Sequence, residues 1–146
     1  MKLRFKLAQV MPQVYKPLIE LDKLLAETEL TKIQKEMIKI RTSQINGCAY
    51  CLNVHSKDAL KYGERQERIF VMSAWREARN WFNEQDQVIL ELTEQVTMIA
   101  NHGVADELFE KAVEIFGEKT TANIILSITI MNAWNRLGVS FGNQPE

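Results

Sequence analysis

Apolar residues return every three or four positions through most of this chain, the spacing that places them on one face of a helix. Ile33, Met37 and Ile40 form one such stripe. Thr31, with Gln34 three residues on, is a capping-box pattern at its start, and the Asn46-Gly47 turn dipeptide ends it. The next helix begins at about Cys48 and runs to about Tyr62, with Gly63 as its stop. Residues 65–82 carry Ile69, Met72, Trp75, Ala78 and Phe82 and predict one helix or two short ones. Asn83 is placed to cap a helix whose apolar positions are Val88, Ile89, Leu92, Val96 and Ile99. A loop at His102-Gly103 precedes a helix bearing Leu108, Phe109, Ala112, Ile115 and Phe116, ended by Gly117. The last helix runs from about Thr120 to Leu137. Its β-branched residues also suit a strand, but its length favours a helix. It is apolar on most sides, so it belongs at the centre of the fold or at a subunit interface.

The prolines, Pro12, Pro17 and Pro145, lie near the ends and leave the middle of the chain without that breaker. Residues 1–14 are expected to be an N-terminal arm, extended over 1–10, and a first helix is expected over 17–27 with Pro17 in its opening turn. The expectation is an all-α, single-domain bundle of about six to seven helices spanning residues 1–146.

Composition narrows the function classes. With 18 basic and 19 acidic residues the net charge is −1, so no basic surplus points to nucleic acid. Charges interrupt the apolar residues at the N-terminus, and no apolar run reaches the roughly 18 residues of a membrane span. A cytoplasmic location is therefore expected, with no membrane partner. No Gly-x-Gly-x-x-Gly and no phosphate loop is visible, so no organic cofactor is expected.

The two cysteines, Cys48 and Cys51, carry the candidate chemistry. A bridge between them closes too small a loop to serve as a staple, and in a reducing compartment such a pair is catalytic or metal-binding. On a helix starting at Cys48, Cys51 is one turn on and His55 one turn further, all on one stripe. A thiolate is the nucleophile, and a free thiol titrates near ~8.5. The helix N-terminus favours the thiolate form of Cys48, whereas the imidazole one turn on favours Cys51. The residues alone leave the nucleophile open between the two. Attack on a peroxide O–O bond leaves a sulfenic acid, which a second thiol one turn away converts to a disulfide. Glu36 lies on or beside the apolar stripe of the preceding helix, where a carboxylate needs a partner. The turn at Asn46-Gly47 folds that helix back so that Glu36 is able to face His55 and relay its proton.

Glu36, then Cys48, Cys51 and His55, resembles the redox motif of the alkylhydroperoxidase D (AhpD) and carboxymuconolactone decarboxylase family. The closing run Asn132 to Leu137 is similar to that family's last helix, and the resemblance extends over roughly residues 15–142. It implies an AhpD-like all-α fold with Cys51 as the peroxidatic cysteine, Cys48 as the resolving one, His55 as base and Glu36 in the proton relay. It further implies a hydroperoxide substrate, a dithiol or protein disulfide as reductant, and assembly as a homo-oligomer such as a trimer or hexamer. One position departs from the best-studied pattern: Tyr50 stands where a histidine precedes the second cysteine, and tyrosine is a poor base near neutral pH. The family's decarboxylases generally lack the cysteine pair, which points away from decarboxylation.

Two rival readings belong beside this one. Cys48, Cys51 and His55, with Glu36 or His102 as fourth ligand, are residue types that bind zinc, although three ligands from one helix is an unusual source. A non-enzymatic redox sensor or disulfide-exchange protein would use the same pair stoichiometrically. His102 by itself reads as an exposed loop residue, and Arg41 and Arg136 as partners of structural carboxylates.

Overall fold

The capping box at Thr31 forms: its hydroxyl accepts from the Gln34 amide at 3.1 Å, and the Gln34 side chain accepts from the Thr31 amide at 3.0 Å. These bonds satisfy two of the donors that every helix start leaves over. The helix they start, α3, spans Lys32–Asn46 in a computed structural model that describes residues 2–145. It ends at Gly47, whose φ of 66° lies in the left-handed region and so favours glycine. The chain then reverses at once into α4, Ala49–Lys61, with Cys48 as its N-cap.

Before α3 lie α1, Leu7–Val10, and α2, Pro12–Ala26. After α4 come α5, Gln66–Val71, and a 3₁₀ segment, Met72–Trp81, interrupted by non-helical backbone at Ala74 and Ala78. α6 spans Glu84–Thr97, capped by the Asn83 side chain at 2.9 Å from the Asp86 amide. α7 spans Asp106–Phe141, broken at Gly117 by a φ of 75°. No strand is present among the described residues, and the fold is all-α. No helix among the described residues is long and apolar enough to cross a membrane.

α3 and α7 form the centre. α3 packs on α4, α6 and α7, and α7 in turn also holds α2. Met37, Ile38 and Ile40 of α3, Ile89, Leu90 and Leu92 of α6, and Ile124 and Ile128 of α7 fill the core. Trp75 closes it from the 3₁₀ segment, and its indole N–H donates to the Glu94 carboxylate at 2.9 Å. Glu94 is nearly enclosed and also takes Arg41 at 2.7 Å and Arg76. Burial pushes its carboxyl up, but hydrogen bonds from Arg76, Trp75 and Arg41 more than offset this and hold it below the usual range.

The N-terminal region differs from the expected arm. α2 begins at Pro12, not at residue 17, and Leu7–Val10 already form a helical turn. Pro12 suits the first helical position, where no N–H is required. Pro17 sits inside α2, where its missing N–H leaves the Gln13 carbonyl without its helical donor. Gln13 and Pro17 are both exposed, so water can reach that carbonyl. The residues before α1 are tied to the far end of the chain: the Arg4 amide donates to the Phe141 carbonyl at 2.9 Å, and the Phe5 ring lies 4.8 Å from the Phe141 ring. Residues 65–82 resolve into α5 and the 3₁₀ segment, and the last helix continues past Leu137 to Phe141.

Candidate active site

Cys48 is the N-cap of α4, and its sulfur accepts from the Cys51 amide at 3.4 Å. A sulfur in that position meets the unpaired amides of the first turn. Cys51 lies one turn on, with its sulfur at disulfide-bonding distance from that of Cys48 and a Cα separation of 5.4 Å. Both side chains are buried, Cys48 to 2% and Cys51 to 5% exposure. The asymmetry that matters is their surroundings. Cys51 lines a cavity of about 270 Å³ together with His55, Tyr50, Tyr15 and Trp134. Cys48 is not on that wall.

His55 follows Cys51 by one helical turn, and its Nδ1 lies 2.8 Å from Glu36 Oε2. The hairpin of α3 and α4 makes this contact, because the left-handed Gly47 returns the chain directly along the face that carries Glu36. The other carboxylate oxygen, Oε1, takes the Lys39 ammonium at 3.1 Å. Burial pushes the Glu36 carboxyl up, while the hydrogen bond from His55 and the Lys39 charge more than offset it, leaving the group below its ordinary range. An ionised Glu36 accepts at Nδ1, so that nitrogen carries the proton and Nε2 is left as the basic nitrogen.

The structure brings Glu36, His55 and Cys51 into one arrangement and joins Cys48 to Cys51. The zinc set of Cys48, Cys51 and His55 with Glu36 or His102 is not what comes together. The sulfurs lie at bonding distance from each other, and His102 is exposed in its loop. The ligand-type group that does converge among the described residues is Glu36, His55 and Asp58, all within 4.8 Å of one another. Arg41 holds the structural Glu94 as expected, whereas Arg136 donates to the Asn132 side chain at 2.8 Å instead of holding a carboxylate.

Several contributors carry little signal in the sequence. Gly138 of α7 lies against the sulfurs: a Cβ there would stand 3.2 Å from Cys48 Sγ and 3.7 Å from Cys51 Sγ. A glycine within an otherwise apolar helix is the clue that marks such a close approach. Met131 packs on the cysteines, with Trp134 and Val139 against them, and Tyr15 of α2 meets the Trp134 ring edge-on at 5.5 Å. Under the turn, Asn46 donates to Asn132 at 2.9 Å and to Asn135 at 3.0 Å, and Asn135 donates to Ser43 at 3.0 Å. This buried amide network fixes the end of α3 on α7 and with it the start of α4.

Comparison with known proteins gives the family and the fold. Residues 12–94, more than half of the chain, match the model of the carboxymuconolactone decarboxylase family. The chain belongs to the carboxymuconolactone decarboxylase family. It is 33% identical over 144 residues to the uncharacterized protein YdfG of Bacillus subtilis (strain 168), covering 99% of this chain and 97% of that one. Among solved structures it superposes with a TM-score of 0.94 and 32% identity on a protein of unknown function from Agrobacterium tumefaciens, with 99% of both chains covered. That protein carries the provisional designation of antioxidant defence protein AhpD. An AhpD-core, peroxidase-related protein from Ralstonia eutropha JMP134 shares the fold at a TM-score of 0.81 and 20% identity, over 95% of this chain and 74% of that one. Within the family, the part of the chain that carries Glu36, Cys48, Cys51 and His55 falls inside the matched region.

Proposed function

We propose that this family member is a thiol-dependent hydroperoxide reductase that cycles Cys48 and Cys51 between dithiol and disulfide. The observation that carries the reading is the pairing, on one cavity wall, of a Cys-x-x-Cys thiol with an imidazole whose far nitrogen is held by a carboxylate. The AhpD designation of the Agrobacterium protein is consistent with it.

In the reduced protein, His55 takes the Cys51 proton at Nε2 while Glu36 stabilises the imidazolium through Nδ1. The Cys51 thiolate attacks the terminal oxygen of a hydroperoxide. The O–O bond breaks, Cys51 becomes a sulfenic acid, and the departing alkoxide takes the proton from His55 as an alcohol. The Cys48 thiol then attacks the Cys51 sulfur, forming the disulfide and releasing water. A dithiol or protein disulfide reductant supplies the two electrons that reset the pair. Its thiolate attacks Cys51, the sulfur on the cavity wall, and Cys48 leaves as a thiolate stabilised by the Cys51 amide. No organic cofactor enters this cycle. Tyr50, also on the cavity wall, can donate a hydrogen bond there but does not replace a second base.

A cytoplasmic site of action and assembly as a homo-oligomer, a trimer or hexamer, are part of the same proposal. Exposed Ile99, Phe109 and Leu126 offer an apolar face for such assembly. The experiment that tests the chemistry is sulfenate mapping. One equivalent of hydroperoxide added to reduced Cys48→Ser protein should place a single trappable sulfenate on Cys51. Cys51→Ser should abolish turnover. A sulfenate on Cys48 in the Cys51→Ser protein, with activity retained, contradicts the assignment. A redox sensor would give the same sulfenate without turnover when reductant is in excess.

A further inference from the structure

The cysteine cavity holds a carboxylate that the proposed cycle does not use. Asp22 of α2 lines the same space as Cys51, His55, Tyr15 and Trp134. Its side chain is half-buried, and among the described residues no hydrogen bond or ion pair holds it.

The nearby cations are engaged elsewhere. Asp22 also borders a second cavity, lined by Lys32, Lys35 and Lys39 of α3 and its cap. Lys39 is paired with Glu36 at 3.1 Å, Lys35 donates to the Thr28 carbonyl at 3.2 Å, and Lys32 lies over the Tyr62 ring at 5.1 Å. None of the three lines the cysteine cavity. Among the described residues of that wall, the groups able to carry charge near neutral pH are Asp22, His55 and the reduced Cys51. When His55 takes the Cys51 proton, imidazolium and thiolate offset each other, and the Asp22 carboxylate is left over.

The size of the space decides whether that charge is felt. A cavity of about 270 Å³, if compact, is only about 8 Å across, no more than the Debye length in physiological salt. The rest of the wall is mostly apolar, with Val54, Met131, Trp134 and Leu137. A second negative charge brought into it therefore meets less screening than in water. A repulsive group of this kind discriminates between ligands without making any contact of its own.

We propose that Asp22 is a specificity-determining residue of the Cys51 cavity, a fixed negative charge that admits uncharged organic hydroperoxides and disfavours anionic ones. The hydroperoxide in this statement rests on the function proposed above; the charge filter at Cys51 does not.

Alkylation of Cys51 tests the filter without peroxide. In reduced, metal-free Cys48→Ser protein, neutral iodoacetamide should react faster than the anion iodoacetate. The Cys51 thiolate itself disfavours the anion, so the change in the rate ratio on substitution is what isolates Asp22. Asp22→Asn should lower the ratio about fivefold, the size of one partly screened like-charge contact. Asp22→Glu should retain it, and Asp22→Ser should lower it as the amide does if Asp22→Asn does not fold. An unchanged ratio in the folded variants, or both rates altered in equal proportion, overturns the proposal. In turnover, kcat/KM for cumene hydroperoxide should exceed that for its 4-carboxylate, and Asp22→Asn should narrow the gap by a similar factor. An Asp22-dependent alkylation ratio without any hydroperoxide consumption rejects the peroxidase reading and retains the charge filter.

Discussion

At the scale of single residues, the site depends on what each polar group is given to hold. His55 is oriented by a carboxylate that its own partners keep ionised, and in the proposed cycle the imidazole is the base toward the thiol. His55→Ala is expected to slow hydroperoxide consumption by about tenfold or more, within the range for a positioned general base. Unchanged turnover removes His55 from the cycle. Glu36→Gln should keep the geometry but weaken His55 as a base, so its pH–rate profile should move while its melting temperature changes little by comparison. Gly138→Ala brings a Cβ to 3.2 Å from Cys48 Sγ. The disulfide form should lose about 1–3 kcal/mol, the range for overpacking a filled interior, as read from the thermal midpoint. These residues differ in how plainly the sequence marks them. Cys48, Cys51 and His55 announce themselves by i,i+3 and i,i+4 spacing within one helix. Glu36 needs the Gly47 turn to bring it over. Gly138, Tyr15 and Trp134 reach the cysteines only through tertiary packing that spacing does not encode.

At the scale of elements, caps and turns were the most legible features. The Thr31 box, the Gly47 stop and the Asn83 cap are local hydrogen-bond chemistry, and each stands where its residues predict. The N-terminal helix departs from its sequence pattern because it is exposed and contains Pro17, a residue that reads as a helix start when no neighbour is known. The breaks at Ala74 and Ala78 also lie beyond local pattern, in a segment held to α6 by Trp75 and Arg76. The Asn46, Asn132 and Asn135 network binds the α3–α4 turn to α7. Asn135→Leu removes one of two acceptors from the Asn46 amide, which keeps Asn132, and the donor to the Ser43 hydroxyl, which keeps the Lys39 carbonyl, and should cost about 1 kcal/mol in denaturant unfolding. No change in the unfolding midpoint would mean that the network does not hold the turn.

At the scale of the whole molecule, two buried carboxylates tie separate elements together and set the response to acid. Glu36 links α3 to α4, and Glu94 links α6 to α3 and to the 3₁₀ segment. Both carboxyls lie below their ordinary value of 4.5 in the folded chain. A depressed folded value means that the unfolded state binds protons first. Their stabilising contribution is therefore complete above the unfolded value and is lost as pH falls through the lower folded values. Thermal midpoints should stay level on this account above pH about 5 and fall below it. Glu94→Gln should flatten the acid limb, and an unaltered limb would show that Glu94 does not contribute to it. The helical content and the motif-bearing hairpin were legible because they rest on periodicity and short-range turns. The two cavities were not, because one arises among α2, α3 and α7 and the other among α2, α4 and α7.

The most direct test of the central claim is the number of hydroperoxide equivalents that one subunit consumes with a dithiol in excess and metal removed. Cycling of Cys48 and Cys51 predicts many equivalents per subunit in wild type and none beyond background in Cys51→Ser. A limit of one equivalent per subunit in wild type, with the disulfide formed and no further consumption, would contradict the catalytic account.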